Sequence, residues 1–246
     1  MISSEFDPQF IAISDRIFEN IDESDTQNDI LKITEEIRKS CNIENITYAM
    51  LSAIPKKSKD LPIITTYNEA WQELYLSKNF IKDDPTVSTL FQSALPFEWS
   101  EIVCKTPRER LVMDLSREYG VGDAGLSIPL RGLRGELGIL TVTSNTTLLP
   151  SLKSCYARTF SQVGIYLHEW HARKAGLRAR QDIPRLSSRE KDCLALCADG
   201  LMAQRVSEKL GISEAAIRLY LSSARNKLRS QTTCGAVAKA IRLGII

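Results

Sequence analysis

The sequence holds only two histidines in 246 residues, His168 and His171. It contains neither a GxSxG elbow nor an HExxH pair. Acid–base catalysis draws on such groups, so the expectation is a protein that is not an enzyme. The two histidines are three residues apart, half a metal site at most. No carboxylate–cysteine cluster lies near them in sequence, so they read as a solvated pair on a helix surface, with no metal expected. No apolar run reaches the roughly 18 residues that a membrane-spanning helix needs. The first residues, Met-Ile-Ser-Ser-Glu-Phe-Asp, are acidic where a secretion signal is basic. The expectation is a cytoplasmic protein with no membrane partner. Six cysteines are present, none in a CxxC pair. In a reducing compartment they read as small core residues. That includes Cys193 and Cys197, one helical turn apart.

What is present divides in two. From Arg178 to Ile246 there are 13 Lys+Arg and 6 Asp+Glu, net +7, while Met1 to Leu177 carries 19 and 24, net −5. A basic end on a mildly acidic body points to one polyanion-binding domain. The length also suits two domains. We place a first domain over 1–175, a charged linker over 176–184 and a second domain over 185–246.

The basic end has the pattern of a helix-turn-helix. Ser187 and Glu190 form a capping box, and Cys193, Leu194, Leu196 and Cys197 repeat at helical spacing until Gly200. A short helix over 203–210 follows, with Val206 and Leu210 inward. Gly211 permits a sharp turn, and Ser213 caps a third helix running to about Leu228. Ala216, Ile217, Leu221, Ala224 and Leu228 give that helix an apolar stripe. Its other face carries Arg218, Ser222, Arg225, Asn226 and Arg229. Two short helices, a glycine turn and a basic third helix suit the major groove of DNA. Arg218 is the candidate base reader, and Arg225 and Lys227 are candidate phosphate contacts.

The first domain mixes helices and strands. Apolar spacing predicts helices over 10–21, 30–41 and 67–78, and alternation predicts strands over 45–54 and 61–66. Thr86–Ser93 reads as a short helix and Pro96–Ser100 as a loop. Thr106, Pro107 and Glu109 open another helix, which ends near Gly120. Segments 124–130 and 136–143 flank a glycine-rich turn, a hairpin pattern. Pro150 starts a long helix to about Arg173. Its stripe of Leu152, Tyr156, Phe160, Val163, Leu167 and Trp170 suits a sheet cover, a dimer seam, or both. The predicted fold is an α/β/α sandwich with an antiparallel sheet, joined to an all-α, four-helix helix-turn-helix domain.

Gly120, Gly122 and Gly125 spell GxGxxG, but a helix precedes and a strand follows, the reverse of a dinucleotide site. They are read as turn residues. More informative are Tyr67, Trp71 and Tyr75, at steps of four on one helical face, with Asp84-Pro85 and Trp99 beyond. Aromatics and one acid facing a sheet suit an apolar pocket with polar anchors. The same pattern suits an aromatic core in which Asp84 only caps a helix.

Trp71, Tyr75, Asp84, Pro85, Trp99 and Gly125, with Glu190, Leu194 and Gly200, resemble the key positions of LuxR-type quorum-sensing transcription factors. The likeness covers nearly the whole chain. It implies an N-terminal domain that binds an N-acyl-homoserine lactone and a C-terminal domain that binds DNA. By resemblance, the Trp71 indole meets the lactone carbonyl and Asp84 accepts the amide N–H. Tyr67 and Thr141 donate to the acyl carbonyl, and Tyr75 and Trp99 form walls. The implied partners are a palindromic promoter site in double-stranded DNA, the lactone, a second copy in a homodimer, and RNA polymerase. No cofactor is implied. The chain departs from the family at Tyr220, where histidine is usual, at Ser222, and after Leu228. A regulator of the same architecture that ignores lactones, by acting without ligand or sensing another molecule, is the alternative; a pure scaffold is a third.

Overall fold

The computed structural model describes residues 8–51, 63–133, 135–144, 155–177 and 184–246, with side chains placed from Arg16 in the first helix and from Ala157 in the sixth. The chain divides into two compact units, with the break after Leu177.

In the first unit, α1 (Pro8–Glu23) and α2 (Gln27–Ser40) lead into β1 (Asn45–Met50) and β2 (Ile63–Thr65). Then come α3 (Glu69–Ser77), α4 (Pro85–Thr89), β3 (Phe97–Glu98), α5 (Pro107–Glu118), β4 (Ala124–Arg131), β5 (Leu137–Ser144) and α6 (Cys155–Lys174). The helix starts are set by side chains. Thr26 with Asp29, and Thr106 with Glu109, form capping boxes that satisfy N–H groups no helical carbonyl can reach. The five strands form one antiparallel sheet in the order β2-β1-β5-β4-β3.

Strand alternation gives the sheet two different faces. Ile46, Tyr48 and Met50 of β1, with Leu126, Ile128 and Leu130 of β4 and Leu140 and Val142 of β5, are buried against α1, α2 and α6. Thr47 and Ala49, with Ile139 and Thr141, face the other way, towards α3, α4 and α5. Helices on both faces of an antiparallel sheet make the expected sandwich.

Several boundaries differ from expectation. β1 ends at Met50, although the Leu51 N–H still donates to the Leu137 carbonyl at 2.7 Å. Residues 52–62 lie outside the described chain. The short helix expected over 86–93 spans only Pro85–Thr89. The stretch expected as a loop supplies β3, which pairs Phe97 with Ser127 and buries the Phe97 ring, and a one-turn 3-10 helix over Trp99–Glu101.

The long helix carries the largest correction. His168 and His171 are not a solvated surface pair; both are buried, at 4% and 6% exposure. The Tyr48 phenol and His168 Nδ1 share a hydrogen bond of 2.9 Å, and the Tyr48 ring lies 4.7 Å from that of His171. Burial pushes the His171 imidazole down to about 4, so it packs as a neutral ring. The apolar stripe turns the helix to the sheet and carries the histidines with it. Phe160, Val163, Leu167 and Trp170 all enter the unit's own core. Ile165 and Tyr166 are the large hydrophobics that the described part of α6 exposes. Pro150, Leu152 and the Tyr156 side chain lie outside the described residues.

The second unit holds α7 (Ser188–Ala198), α8 (Ala203–Leu210), α9 (Glu214–Lys227) and α10 (Thr233–Arg242). Cys193, Leu194, Val206, Ile217, Ala224 and Leu228 are its buried centre. Gly211, at φ +65°, makes the left-handed turn between α8 and α9.

Gly164 brings α6 close to the sheet. A Cβ there would stand 2.9 Å from Leu130 Cδ2 and 3.4 Å from Leu140 Cβ. Gly164→Val should therefore cost about 1–3 kcal/mol of stability in urea unfolding. A loss under about 0.5 kcal/mol, the usual range for a surface change, would show that α6 is not pressed onto β4 and β5.

Candidate functional site

The inner face of the sheet and the three helices opposite flank a partly open cavity of about 320 Å³. Tyr67, Trp71, Tyr75, Asp84, Trp99 and Thr141 all line it. Sequence reasoning grouped these residues, and the fold brings them to one wall system. Apolar surface completes the lining, from Leu51, Ile63, Ile81, Val87, Val112, Met113, Val121 and Ile139.

Each polar residue is held by a local device. The Asn68 carboxamide oxygen accepts from the Trp71 backbone N–H at 2.9 Å, capping α3, and its Nδ2 donates to the Tyr119 carbonyl at 2.6 Å. One side chain thus starts the helix that carries Trp71 and ties it to the end of α5. The Trp71 ring lies 6.2 Å from Phe80 and 5.7 Å from Tyr75, centre to centre. Its indole N–H has no acceptor among the described residues.

Asp84 caps α4 and also lines the cavity. Its Oδ1 accepts from the Thr86 N–H at 2.8 Å and the Thr86 hydroxyl at 2.6 Å. Its Oδ2 accepts from the Tyr75 phenol at 2.8 Å. Pro85 occupies the first turn of α4, where no N–H is missed. Burial, and then the Asp84 charge, push the Tyr75 phenol well above its ordinary value, so it stays a neutral donor. A carboxylate has about four lone-pair sites, so three donors leave one open, on Oδ2.

Trp99 closes one end. Its Nε1 donates to Ser127 Oγ at 3.1 Å, and its indole packs against Gly125, where a Cβ would stand 2.4 Å from Cε2. That contact explains the glycine. Gly120 and Gly122 take positive φ at the turn before β4, as turn glycines do. Sequence reasoning missed Asn68, Thr86, Ser127 and the Thr47–Thr65 pair. Asn three residues before Trp71 was the one local signal for any of them.

In the second unit, Arg218 is exposed on α9. Its Nε and Nη2 both donate to Glu214 Oε1, at 3.0 and 2.5 Å. Asn226 is exposed and Ser222 half-buried. Arg225 is half-buried, and its Nε has no acceptor among the described residues. Lys227 donates to Glu190 Oε2 at 2.8 Å, so its charge is partly engaged within the unit. Glu190 is 3% exposed and also accepts from Ser223 Oγ and the Ser187 N–H, both at 2.6 Å. The carboxylate therefore clamps α9 to the start of α7. Leu194 is fully buried beside it in the chain, and Gly200 ends α7 at φ +85°.

A partly open, mostly apolar cavity in one unit and a capped, basic helix-turn-helix in the other define a small-molecule-responsive DNA-binding protein. Comparison with known proteins gives the family. Residues 26–170 match the autoinducer binding domain, and residues 184–240 match bacterial regulatory proteins of the luxR family. The chain belongs to the LuxR-type autoinducer-binding transcriptional regulators. It is 34% identical to the transcriptional activator RaiR of Rhizobium etli over 173 residues, 70% of this chain and 72% of RaiR. It is 30% identical to the quorum sensing-dependent regulator RpaR of Rhodopseudomonas palustris over 220 residues, 86% of each. Escherichia coli SdiA shares the fold, with a TM-score of 0.59 at 17% identity over 96% of this chain and 99% of SdiA. SdiA in complex with octanoyl-rac-glycerol aligns with a TM-score of 0.62 over 97% of each chain, also at 17% identity.

The Glu190 clamp carries a pH dependence. Burial alone would raise its carboxyl, but the donors from Lys227, Ser223 and Ser187 outweigh that and hold it at about 2. An unfolded glutamate titrates near 4.3, so the clamp's contribution is complete above that value and is lost as pH falls towards 2. Glu190→Gln should cost about 1–3 kcal/mol at neutral pH and flatten the stability–pH curve between about pH 4.3 and 2. Urea unfolding of wild type and variant across that range checks both; parallel curves would remove the clamp from the account.

Proposed function

We propose that the first unit binds an N-acyl-homoserine lactone and that occupancy controls transcription from a palindromic promoter site. In this reading residues 1–175 bind ligand and dimerise, 176–184 link, and 185–246 bind DNA. The observation that carries it is the mixed lining of the cavity: one open carboxylate lone pair and one unmatched indole N–H among predominantly apolar side chains. A neutral amphiphile with one N–H, two carbonyls and a hydrocarbon tail matches that set. The Asp84 Oδ2 takes the amide N–H, the Trp71 indole takes the lactone carbonyl, and Tyr67 and Thr141 take the acyl carbonyl. Tyr75 and Trp99 wall the head group. A ligand so enclosed adds stability by mass action, about 2.7 kcal/mol at a hundredfold excess over Kd. Only an ordered homodimer holds two recognition helices in register on a two-fold site, where RNA polymerase is then engaged. An acyl glycerol, the ligand class held by SdiA, is the second reading: its hydroxyls can donate to Asp84 in place of an N–H.

Two measurements test this. Thermal melts with a panel of acyl-homoserine lactones and octanoyl glycerol should show a stabilising lactone. Asp84→Asn should move its half-saturation to about tenfold higher concentration, the loss of one charged acceptor, with ligand-free DNA affinity unchanged. Stabilisation by octanoyl glycerol alone would select the second reading. No shift with any ligand would reject both. On the DNA side, Arg218→Ala should cost about 1–3 kcal/mol on the cognate site and less on random DNA. Equal losses on both would make Arg218 a phosphate contact.

A further inference from the structure

The inner face of the sheet carries a row of hydroxyls in strict register. Thr65 on β2 pairs with Thr47 on β1, Thr47 with Thr141 on β5, and Thr141 with Ser127 on β4. The row is bonded in two separate runs. Thr47 Oγ1 and Thr65 Oγ1 lie 2.6 Å apart, and the Tyr67 N–H donates to Thr65 Oγ1 at 3.1 Å. Ser127 Oγ and Thr141 Oγ1 lie 3.0 Å apart, and Trp99 Nε1 donates to Ser127. No hydrogen bond joins Thr47 to Thr141, although they are direct cross-strand partners lining the same cavity.

Counting protons shows what the gap can take. In the second run Trp99 Nε1, Ser127 and Thr141 bring three protons to two bonds. Indole N–H can only donate, so Ser127 accepts from it. Ser127 is fully buried, while Thr141 lines the cavity. The satisfied arrangement has Ser127 donating to Thr141, which leaves the Thr141 proton facing the cavity. In the first run the Tyr67 N–H, Thr65 and Thr47 bring three protons to two bonds, so one more is spare. The gap is thus flanked by a spare donor on each side.

We propose that the space between Thr47 and Thr141 takes a second acyl oxygen, so that the preferred ligand is a lactone oxygenated at the third acyl carbon. This rests on the lactone reading above. Cross-strand partners hold their Cβ atoms about 4.5–5.5 Å apart, within reach of two oxygens on alternate carbons of one chain. With Thr141 and Tyr67 on the amide carbonyl, the Thr47 hydroxyl serves the oxygen two carbons further on. Thr65 and Ser127 are positioning residues, each orienting the hydroxyl beside it.

The test compares Kd for 3-oxo, 3-hydroxy and unsubstituted lactones of one chain length, in wild type, Thr47→Val, Thr47→Ser and Thr65→Val. Wild type should favour an oxygenated lactone by about tenfold, the worth of one buried hydrogen bond. Thr47→Val, which keeps the shape, should erase that preference by weakening the oxygenated ligand alone, while Thr47→Ser should retain it. Thr65→Val, which also removes the acceptor of the Tyr67 N–H, should weaken the oxygenated ligand more than the unsubstituted one and so reduce the preference. Equal wild-type affinities, or a Thr47→Val loss shared by all three ligands, would overturn the proposal and leave the lactone reading standing. Absence of binding by every lactone would instead remove the reading on which it rests. If Thr47→Val fails to fold, the wild-type ratio and the Thr47→Ser and Thr65→Val ratios decide.

Discussion

Two-residue alternation in the sheet is the constraint on which the sensor unit depends. On β1, Ile46, Tyr48 and Met50 close the core under α1, α2 and α6, and the residues between them floor the cavity. A slip of one residue would put Tyr48 into the cavity and Thr47 into the core. The register is therefore held from both sides: by apolar packing on one face and by the Thr47–Thr65 and Ser127–Thr141 bonds on the other. Helices α3 and α5 must then stand away from the sheet without collapsing onto it. The Asn68 link to Tyr119, and the Asn45 amide donating to the Val121 carbonyl at 2.8 Å, hold that end of the unit together. The cavity is what remains between a floor and a roof fixed independently.

The DNA-binding unit solves a smaller problem with one carboxylate. Four short helices have little apolar surface to share, and none is long enough to be stable alone. Glu190 serves three donors from the start of α7 and the far end of α9. Burying a charge is worthwhile only when its lone pairs are satisfied, and here they are. The same clamp takes up Lys227, a residue that charge alone assigns to phosphate. Arg218, paired only with a side chain one turn back on its own helix, is the freer of the two cations.

Much of this was legible in the chain, for identifiable reasons. Helix starts were visible because a capping box is written in four adjacent residues, as at Thr106 and Ser187. The aromatic face was visible because Tyr67, Trp71 and Tyr75 are one helical turn apart. Strand β3 was not, because two residues carry no period and its pairing is set by β4. The burial of His168 and His171 was missed because polar identity was weighed above position on the helix that carries Leu167 and Trp170. The hydroxyl row was hidden for another reason. Thr47, Thr65, Ser127 and Thr141 come from four strands far apart in sequence, and only pairing aligns them. Read singly, Thr47, Thr65 and Ser127 look like solvent-facing positions on half-buried strands.

The central claim is that the cavity of the first unit is a lactone site coupled to DNA binding. The most direct measurement is native mass spectrometry of the protein purified from cells grown with and without added acyl-homoserine lactones, beside operator binding by the same samples. The account predicts one lactone per chain in the first sample, with higher operator affinity than the second. Protein that is folded, binds its operator equally in both samples and carries no lactone would contradict it.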